Sequence, residues 1–238
     1  QRIAMSLTLS ALAATLVGIA EYHTSVSGFD GISHAKMAAL GFEVLLGSVT
    51  VGGTLVAAGK LQEWITSKPV TFKGQNLLNG VLGAFMLGLF VFMVMQPVSP
   101  TVFYVMIALA VAFGVLLVIP IGGADMPVVV ALLNSYSGLA ACATGFAIDN
   151  VVLIIAGALD GASGFILSIL MSKAMNRSFA NVLFGAFGSQ TLNTEMRRAG
   201  AAQARSISLE DAAIQLAYAQ LVIVVPGYGL AVAQAQHV

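Results

Sequence analysis

The sequence contains long runs without a charged side chain. Residues 74–124 hold no Asp, Glu, Lys or Arg, and residues 126–148 hold none either. Only 8% of the residues are charged and 58% are hydrophobic, whereas about 25% of residues are charged in an ordinary soluble domain. A helix needs about 20 apolar residues to cross a bilayer. The composition therefore argues against a soluble domain and predicts an all-α polytopic membrane helix bundle.

Six spans fit the hydrophobic pattern, with charged or proline-containing turns between several of them. Their approximate limits are residues 3–20, 37–59, 77–95, 102–121, 128–146 and 151–171. Lys and Arg prefer the cytoplasmic side of a membrane. Alternating spans place every Lys and Arg except Lys36 on one side of the membrane. We expect that side to be the bacterial cytoplasm, or the matrix if the protein is mitochondrial.

Net charge and cysteine content argue against several kinds of partner and binding site. The net charge is zero, so the sequence does not suggest a nucleic-acid partner. The single cysteine, Cys142, excludes a disulfide within the chain and leaves a zinc site without a ligand set. No metal site and no residue that performs chemistry on a substrate are predicted. The chain starts almost inside an apolar segment, and we expect it to be part of a longer protein.

Glycines recur inside the predicted spans. Small residues let membrane helices approach closely, and this predicts that the glycines serve helix packing. They are Gly47, Gly52, Gly53, Gly157, Gly161 and Gly164.

The residues after 187 differ in character from the spans. Residues 1–187 are predicted to form the membrane domain, 188–206 a polar linker, and 207–238 the start of a second domain. Ser208 is expected to cap a helix. A β-branched run at 221–225 precedes a Gly-Tyr-Gly turn at 227–229 and an Ala-rich segment. Strand, glycine turn and helix start are typical of a Rossmann-like dinucleotide-binding unit, although Val232 stands where the fingerprint has its third glycine.

Polar side chains occur within the apolar spans. Asn134 and Ser137 follow closely after a glycine-broken turn that contains Asp125. Glu43 and Asp160 are carboxylates inside spans, Glu43 nearer the outer side and Asp160 near the middle. Polar groups at membrane depth are costly and usually face a bundle interior or a water-filled path. Two alternatives stay open for Asn134 and two for Glu43. Asn134 either bonds a neighbouring helix or lies on a polar path, and Glu43 either reaches the outer interface or lies on that path.

Four segments resemble one protein family. They are residues 121–130, which contain Gly-Gly-Ala-Asp-Met-Pro; residues 133–138, Leu-Asn-Ser-Tyr-Ser-Gly; residues 174–179, Ala-Met-Asn-Arg-Ser-Phe; and residues 226–236, Pro-Gly-Tyr-Gly-Leu-Ala-Val-Ala-Gln-Ala-Gln. These segments are similar to the β subunit of proton-translocating NAD(P) transhydrogenases.

The resemblance implies an activity and partners. In that family, hydride passes between NAD(H), held by an α subunit or another domain, and NADP(H), held by the domain that residues 207–238 begin. Membrane helices couple the transfer to proton movement. The resemblance also implies a homodimer of the whole complex in the bacterial inner membrane, or in the mitochondrial inner membrane of a eukaryote.

The resemblance further implies roles for individual residues. It places Asn134 on the proton path, with Ser137 in the same motif, and Asp125 at the cytoplasmic end of that path. Ser163 and Gly164 match a Ser-Gly pair of the last span, and the sequence around Glu43 also occurs in the family. Asn176 and Arg177 would couple the membrane part to the nucleotide domain. The turn that would hold NADP(H) comprises Gly227, Tyr228, Gly229, Leu230 and Ala231.

The chain departs from the family pattern in its first span. The alignment places Leu7 where the family has a proton-carrying His, and the three histidines, His23, His34 and His237, lie outside the spans. A proton carrier must change its charge near the working pH. Either the titrating group lies in a part of the protein outside this sequence, or a carboxylate replaces it. We hypothesise that Asp160, which is not part of the family pattern, takes over or shares this relay. The alternative is that Asp160 links two helices by a hydrogen bond.

Two other classes of membrane protein share some of these features. A secondary transporter also has glycine-broken spans with polar groups near mid-membrane, but it leaves the Gly-Tyr-Gly turn unexplained. A purely structural subunit of a membrane complex leaves Asn134 and Asp160 unexplained.

Overall fold

The chain divides into two compact units, Gln1–Leu192 and Asn193–Val238. A computed structural model describes residues 2–27, 32–97, 99–176, 178–180, 182 and 208–222.

Six long helices make up the described part of the first unit. They are α1, Arg2–Val26; α2, His34–Leu61; α3, Gln75–Met95; α4, Pro100–Val118; α5, Met126–Ala147; and α6, Val151–Ala174. All six are long and apolar enough to cross a membrane. The predicted all-α chain with about six spans is confirmed to that extent. Several helices extend beyond the predicted limits, because polar residues at the membrane surface continue the backbone hydrogen bonding of the apolar segment.

Local sequence signals account for the helix ends. The Ser33 side chain accepts a hydrogen bond from the Lys36 amide at the start of α2, and Asn150 caps Leu153 in the same way at the start of α6. Pro100 lies in the first turn of α4, where a missing N–H costs nothing. Asn176 follows α6 with φ 54°, a left-handed conformation that Asn tolerates and that ends the helix.

The core of the first unit lies around α2 and α5. α2 packs against α1, α3, α4 and α5, while α5 packs most extensively against α6. α3 and α6 lie at the edge and present large apolar side chains outward, among them Leu77, Val152 and Leu159. An apolar outer surface is what contact with lipid tails requires.

Glycines allow close contact between the helices. An added Cβ at Gly138 of α5 would overlap the backbone of Gly161 in α6, and one at Gly157 would overlap the backbone of Cys142. Gly52 of α2 and Gly114 of α4 meet the opposite helix backbone in the same way. The prediction that the glycines serve packing is therefore confirmed.

The described part of the second unit contains one helix, α7, Leu209–Tyr218. The Ser208 side chain accepts a hydrogen bond of 3.1 Å from the Asp211 amide, so the predicted cap is confirmed. Leu221 and Val222 belong to no strand within the described segment 208–222, and the rest of the predicted strand and its glycine turn lie outside the described residues.

We expect Gly138→Ala to destabilise the first unit by about 1–3 kcal/mol, because the new methyl group overpacks the contact with Gly161. Gly88→Ala is the matched control, since Gly88 of α3 has nothing within 4 Å of an added Cβ. Thermal unfolding of the two full-length variants in detergent measures the difference. Equal unfolding temperatures would contradict the packing role.

Candidate functional site

Asn134 and Asp160 form a polar pair between α5 and α6. The Asn134 Nδ2 atom donates a hydrogen bond of 3.2 Å to Asp160 Oδ1. Asn134 lies nine residues beyond Asp125, which corresponds to about 13 Å along a helix. The hydrocarbon core of a bilayer is about 30 Å thick. The pair therefore lies in the middle part of α5 and α6, where we expect mid-membrane depth, and the structure joins two residues that the sequence pointed to separately.

The Ser163 and Gly164 positions adjoin this pair. The Ser163 hydroxyl donates to the Asp160 carbonyl at 3.0 Å. An added Cβ at Gly164 would lie 3.1 Å from Asn134 Nδ2. The missing side chain at Gly164 thus leaves the space that the Asn134 amide occupies.

The polar pair lies at the edge of the bundle. Asn134 is half-buried, whereas Asp160 and Ser163 are exposed on the outward face of α6. A charged carboxylate facing lipid tails is costly, so this face suits contact with water or a further polar group better than contact with lipid.

Asp125 is buried in the turn that leads into α5. It ends a short 3₁₀ helix, Gly123–Asp125, directly before Met126. The Gly123 amide donates a hydrogen bond of 2.8 Å to the Ser67 carbonyl in the loop after α2. The turn is thereby tied to a neighbouring loop, and Asp125 has a defined place at the predicted cytoplasmic end of α5.

Glu43 is enclosed between helices. Its side chain has 0% exposed surface, and neither carboxyl oxygen has a hydrogen-bond partner. Gly18 of α1 lies against the carboxyl group, and Thr144 of α5 lies beside it. The Thr144 hydroxyl donates instead to the carbonyl of Ala140 in its own helix. The alternative in which Glu43 reaches the outer interface is wrong, because its side chain is fully buried against Gly18 of α1 and Thr144 of α5.

The candidate residues lie at three positions along α5. Asp125 precedes the helix, Asn134 lies near its middle with Asp160, and Thr144 lies near its outer end beside Glu43. Ser137 is buried one turn beyond Asn134, and its hydroxyl donates to the Asn134 carbonyl at 2.8 Å. Spacings of nine and ten residues separate the three positions by roughly 13–15 Å each. Direct hydrogen bonds therefore do not link them, and a proton passing between them needs intervening water or a movement of side chains.

Sequence reasoning missed a hydroxyl pair between α1 and α2. The Thr8 hydroxyl lies 2.8 Å from the Thr54 hydroxyl, and Thr54 is fully buried. Thr8 is adjacent to Leu7, the position at which the sequence resemblance led us to expect a His. The partner of Thr8 lies 46 residues away in the sequence, so no local pattern indicates the pair.

Sequence reasoning also missed the burial of Lys60. The predicted second span stops at residue 59, whereas the structure places Lys60 in the last turn of α2 with only 1% of its surface exposed.

Several predicted site residues are not described. Arg177, Gly227, Tyr228, Gly229, Leu230 and Ala231 lie outside the described residues. Asn176 ends α6, and its amide donates a hydrogen bond of 2.9 Å to the Lys173 carbonyl. Within the described ranges there is no group of three or more His, Cys, Asp or Glu side chains that could hold a metal ion.

Comparison with known proteins identifies the family. A sequence model of the family described as NAD(P) transhydrogenase beta subunit matches residues 1–238. Two curated sequences from Rhodospirillum rubrum, each named NAD(P) transhydrogenase subunit beta, are 46% identical to this chain over 214 residues. The match covers 88% of this chain and 46% of each relative, so the chain spans about half the length of these relatives. The family that the four sequence motifs indicated is confirmed, and the chain belongs to the NAD(P) transhydrogenase beta subunit family.

Proposed function

We propose that this chain is the membrane part of a proton-translocating transhydrogenase, in which proton movement drives, or is driven by, hydride transfer between NAD(H) and NADP(H). The observation that carries the proposal is the Asn134–Asp160 hydrogen bond near mid-membrane. A helix pair that only packs has no need of a carboxylate at that depth, because a charged group there is costly.

The polar residues along α5 supply positions that a proton can occupy in turn. Glu43 and Asp160 can bind and release a proton, and Asn134 can orient the Asp160 carboxyl group through its amide. Asp125 receives or supplies the proton at the cytoplasmic end. Leu7 cannot take part, so the carboxylates carry the charge change that a His performs elsewhere in the family.

The hydride chemistry belongs to the nucleotides. NADP(H) is a substrate that the domain starting near residue 207 would bind, with the backbone of residues 227–231 at its pyrophosphate. NAD(H) would be held by an α subunit or a separate domain. Asn176 and Arg177, which follow α6 in the sequence, would couple the nucleotide domain to the proton path, as the resemblance implies. We place the full assembly, as a homodimer, in a bacterial inner membrane or in the mitochondrial inner membrane.

We expect Asp160→Asn to abolish proton translocation and to reduce the coupled hydride transfer by about tenfold or more, because the amide keeps the size and hydrogen bonding but cannot titrate. Asp149→Asn makes the same chemical change at an exposed loop position, and we expect it to keep both activities. NADPH-driven proton uptake by vesicles holding the full complex is the measurement. Normal uptake by Asp160→Asn would instead favour a role in linking α5 to α6.

Asn134→Leu removes the amide that orients Asp160 and roughly keeps its volume. We expect proton translocation and the coupled reaction to fall together while the protein remains folded in the membrane. If Asn134 served packing alone, the loss would be limited to about 1 kcal/mol of stability. Proton uptake at the normal rate, with lowered thermal stability, would be the result that contradicts a place on the path.

Glu43→Gln tests the outer position. The glutamine fits the same enclosed space but cannot carry a proton, so we expect loss of proton translocation with the protein still inserted. Glu63→Gln, at an exposed position after α2, is the matched control. Equal proton uptake in the two variants would remove Glu43 from the path.

Gly229→Val in the full-length protein should weaken NADP(H) binding, because the new side chain blocks the approach of the backbone to the pyrophosphate. NAD(H) affinity should stay the same and serves as the internal control. Titration of both nucleotides by calorimetry separates the two sites. Unchanged NADP(H) affinity would refute the predicted nucleotide turn.

A further inference from the structure

Lys60 is a buried cation that bonds to main-chain carbonyls. Its Nζ atom donates to the carbonyls of Ile119, Ile121 (2.8 Å) and Lys68 (3.3 Å). Among the residues that the structure describes, the one ion pair joins Lys36 to Glu21. Three carbonyls from two chain segments, the loop after α2 and the turn after α4, therefore take the place of a carboxylate partner.

The electrostatic reason lies in the helix ends around Lys60. α2 ends at Leu61 and α4 ends at Val118, immediately before Ile119. The last carbonyl groups of a helix carry a partial negative charge of about half an electron. The ammonium group of Lys60 contacts the α4 end, because the C-cap residue Ile119 accepts one of its hydrogen bonds. A cation suits this position, and a neutral side chain leaves the α4 end without that positive charge.

The carbonyls that Lys60 binds belong to the turn that carries Asp125. Ile119 and Ile121 begin the connection between α4 and the 3₁₀ helix Gly123–Asp125. Ile121 and Met126, on either side of Asp125, are buried in one apolar cluster with Val56 of α2. Packing holds the flanks of the turn, and the carbonyls between α4 and Asp125 need a donor that water does not supply at a buried site.

The loop after α2 makes further hydrogen bonds to Lys60 and to the turn between α4 and α5. The Ser67 hydroxyl donates to the Lys60 carbonyl at 3.1 Å, and the Ser67 carbonyl accepts from the Gly123 amide at 2.8 Å. The Val70 amide donates to the Ile119 carbonyl at 3.3 Å, so that carbonyl receives two donors. Lys60 thus joins α2, its following loop and the α4–α5 turn.

We propose that Lys60 is a positioning residue, which holds Asp125 at the end of α5 by bonding the carbonyls of Ile119 and Ile121. Its effect on activity rests on the proposed function of Asp125, whereas its effect on the turn does not. Lys60 acts through main-chain groups and does not itself carry the proton.

The test compares Lys60→Met with Lys73→Met in the full complex. Methionine keeps most of the side-chain stem and removes the three hydrogen bonds of the ammonium group, while Lys73 is an exposed lysine of the same loop. A nitroxide attached to Ala124→Cys, in a background without other cysteines, reports the mobility of the turn, because Ala124 is exposed. Proton uptake and coupled hydride transfer are measured on the same variants without the label.

With Lys60→Met we expect a more mobile label and a fall of about tenfold or more in coupled activity, since a small misplacement of a reacting group is costly. Lys73→Met should match the unmodified protein in both measurements. Lys60→Arg keeps the charge and several donors, and we expect it to recover part of the activity. A simple loss of core packing would not respond to the restored charge.

If Lys60→Met does not accumulate in the membrane, Lys60→Gln replaces it, since glutamine removes the charge and has a shorter side chain. We expect the same two changes. Unchanged label mobility in Lys60→Met, or in Lys60→Gln where that variant replaces it, would overturn the positioning role. A mobile label with normal coupled activity would support the positioning role and overturn the assignment of Asp125 to the proton path.

Discussion

A chain within a bilayer must satisfy its polar groups without water, and this constraint governs the rest of the structure. Helices satisfy the backbone, which explains the six long apolar elements. The constraint is harder to meet where helices end and where polar side chains lie within them. Lys60 satisfies the first requirement by donating to carbonyls at the end of α4 and in the turn that follows it. Asn134 and Asp160 resolve the second by bonding each other across α5 and α6. Each arrangement joins segments that are distant in the sequence, so polar bonding also fixes which helices are neighbours.

Close packing makes these polar contacts possible. Gly138, Gly157 and Gly161 bring the backbones of α5 and α6 together, which lets a short Asp160 side chain reach Asn134. Gly18 plays a similar part at the other end of α5, where it leaves room for the Glu43 carboxyl group against α1. The same glycines that serve packing therefore also set the distances between the polar groups. A bulkier residue at these positions would separate the helices and remove the hydrogen bond with them.

The polar groups within the helices differ in how well they are satisfied. Asn134 and the exposed Asp160 bond each other, while the fully buried Glu43 carboxyl group has no hydrogen-bond partner. An unsatisfied polar group in a dry site costs free energy, and such groups persist where function needs them. This supports Glu43 as a proton-binding position. Thr144 lies beside it and donates its hydrogen bond to the carbonyl of Ala140.

The sequence by itself determined the membrane class, the six apolar segments and the family, because hydrophobic length and local motifs are properties of neighbouring residues. It also marked Asn134, Asp160, Asp125 and Glu43, since a polar residue in an apolar run is visible without a structure. Only the tertiary structure decided that Asn134 bonds Asp160, that Glu43 is enclosed by α1 and α5, and that Thr8 lies against Thr54. It also showed that Lys60, which follows the predicted second span, is buried in the last turn of α2. These features depend on contacts between residues far apart in the chain, and no periodicity or local spacing specifies which faces of the helices meet.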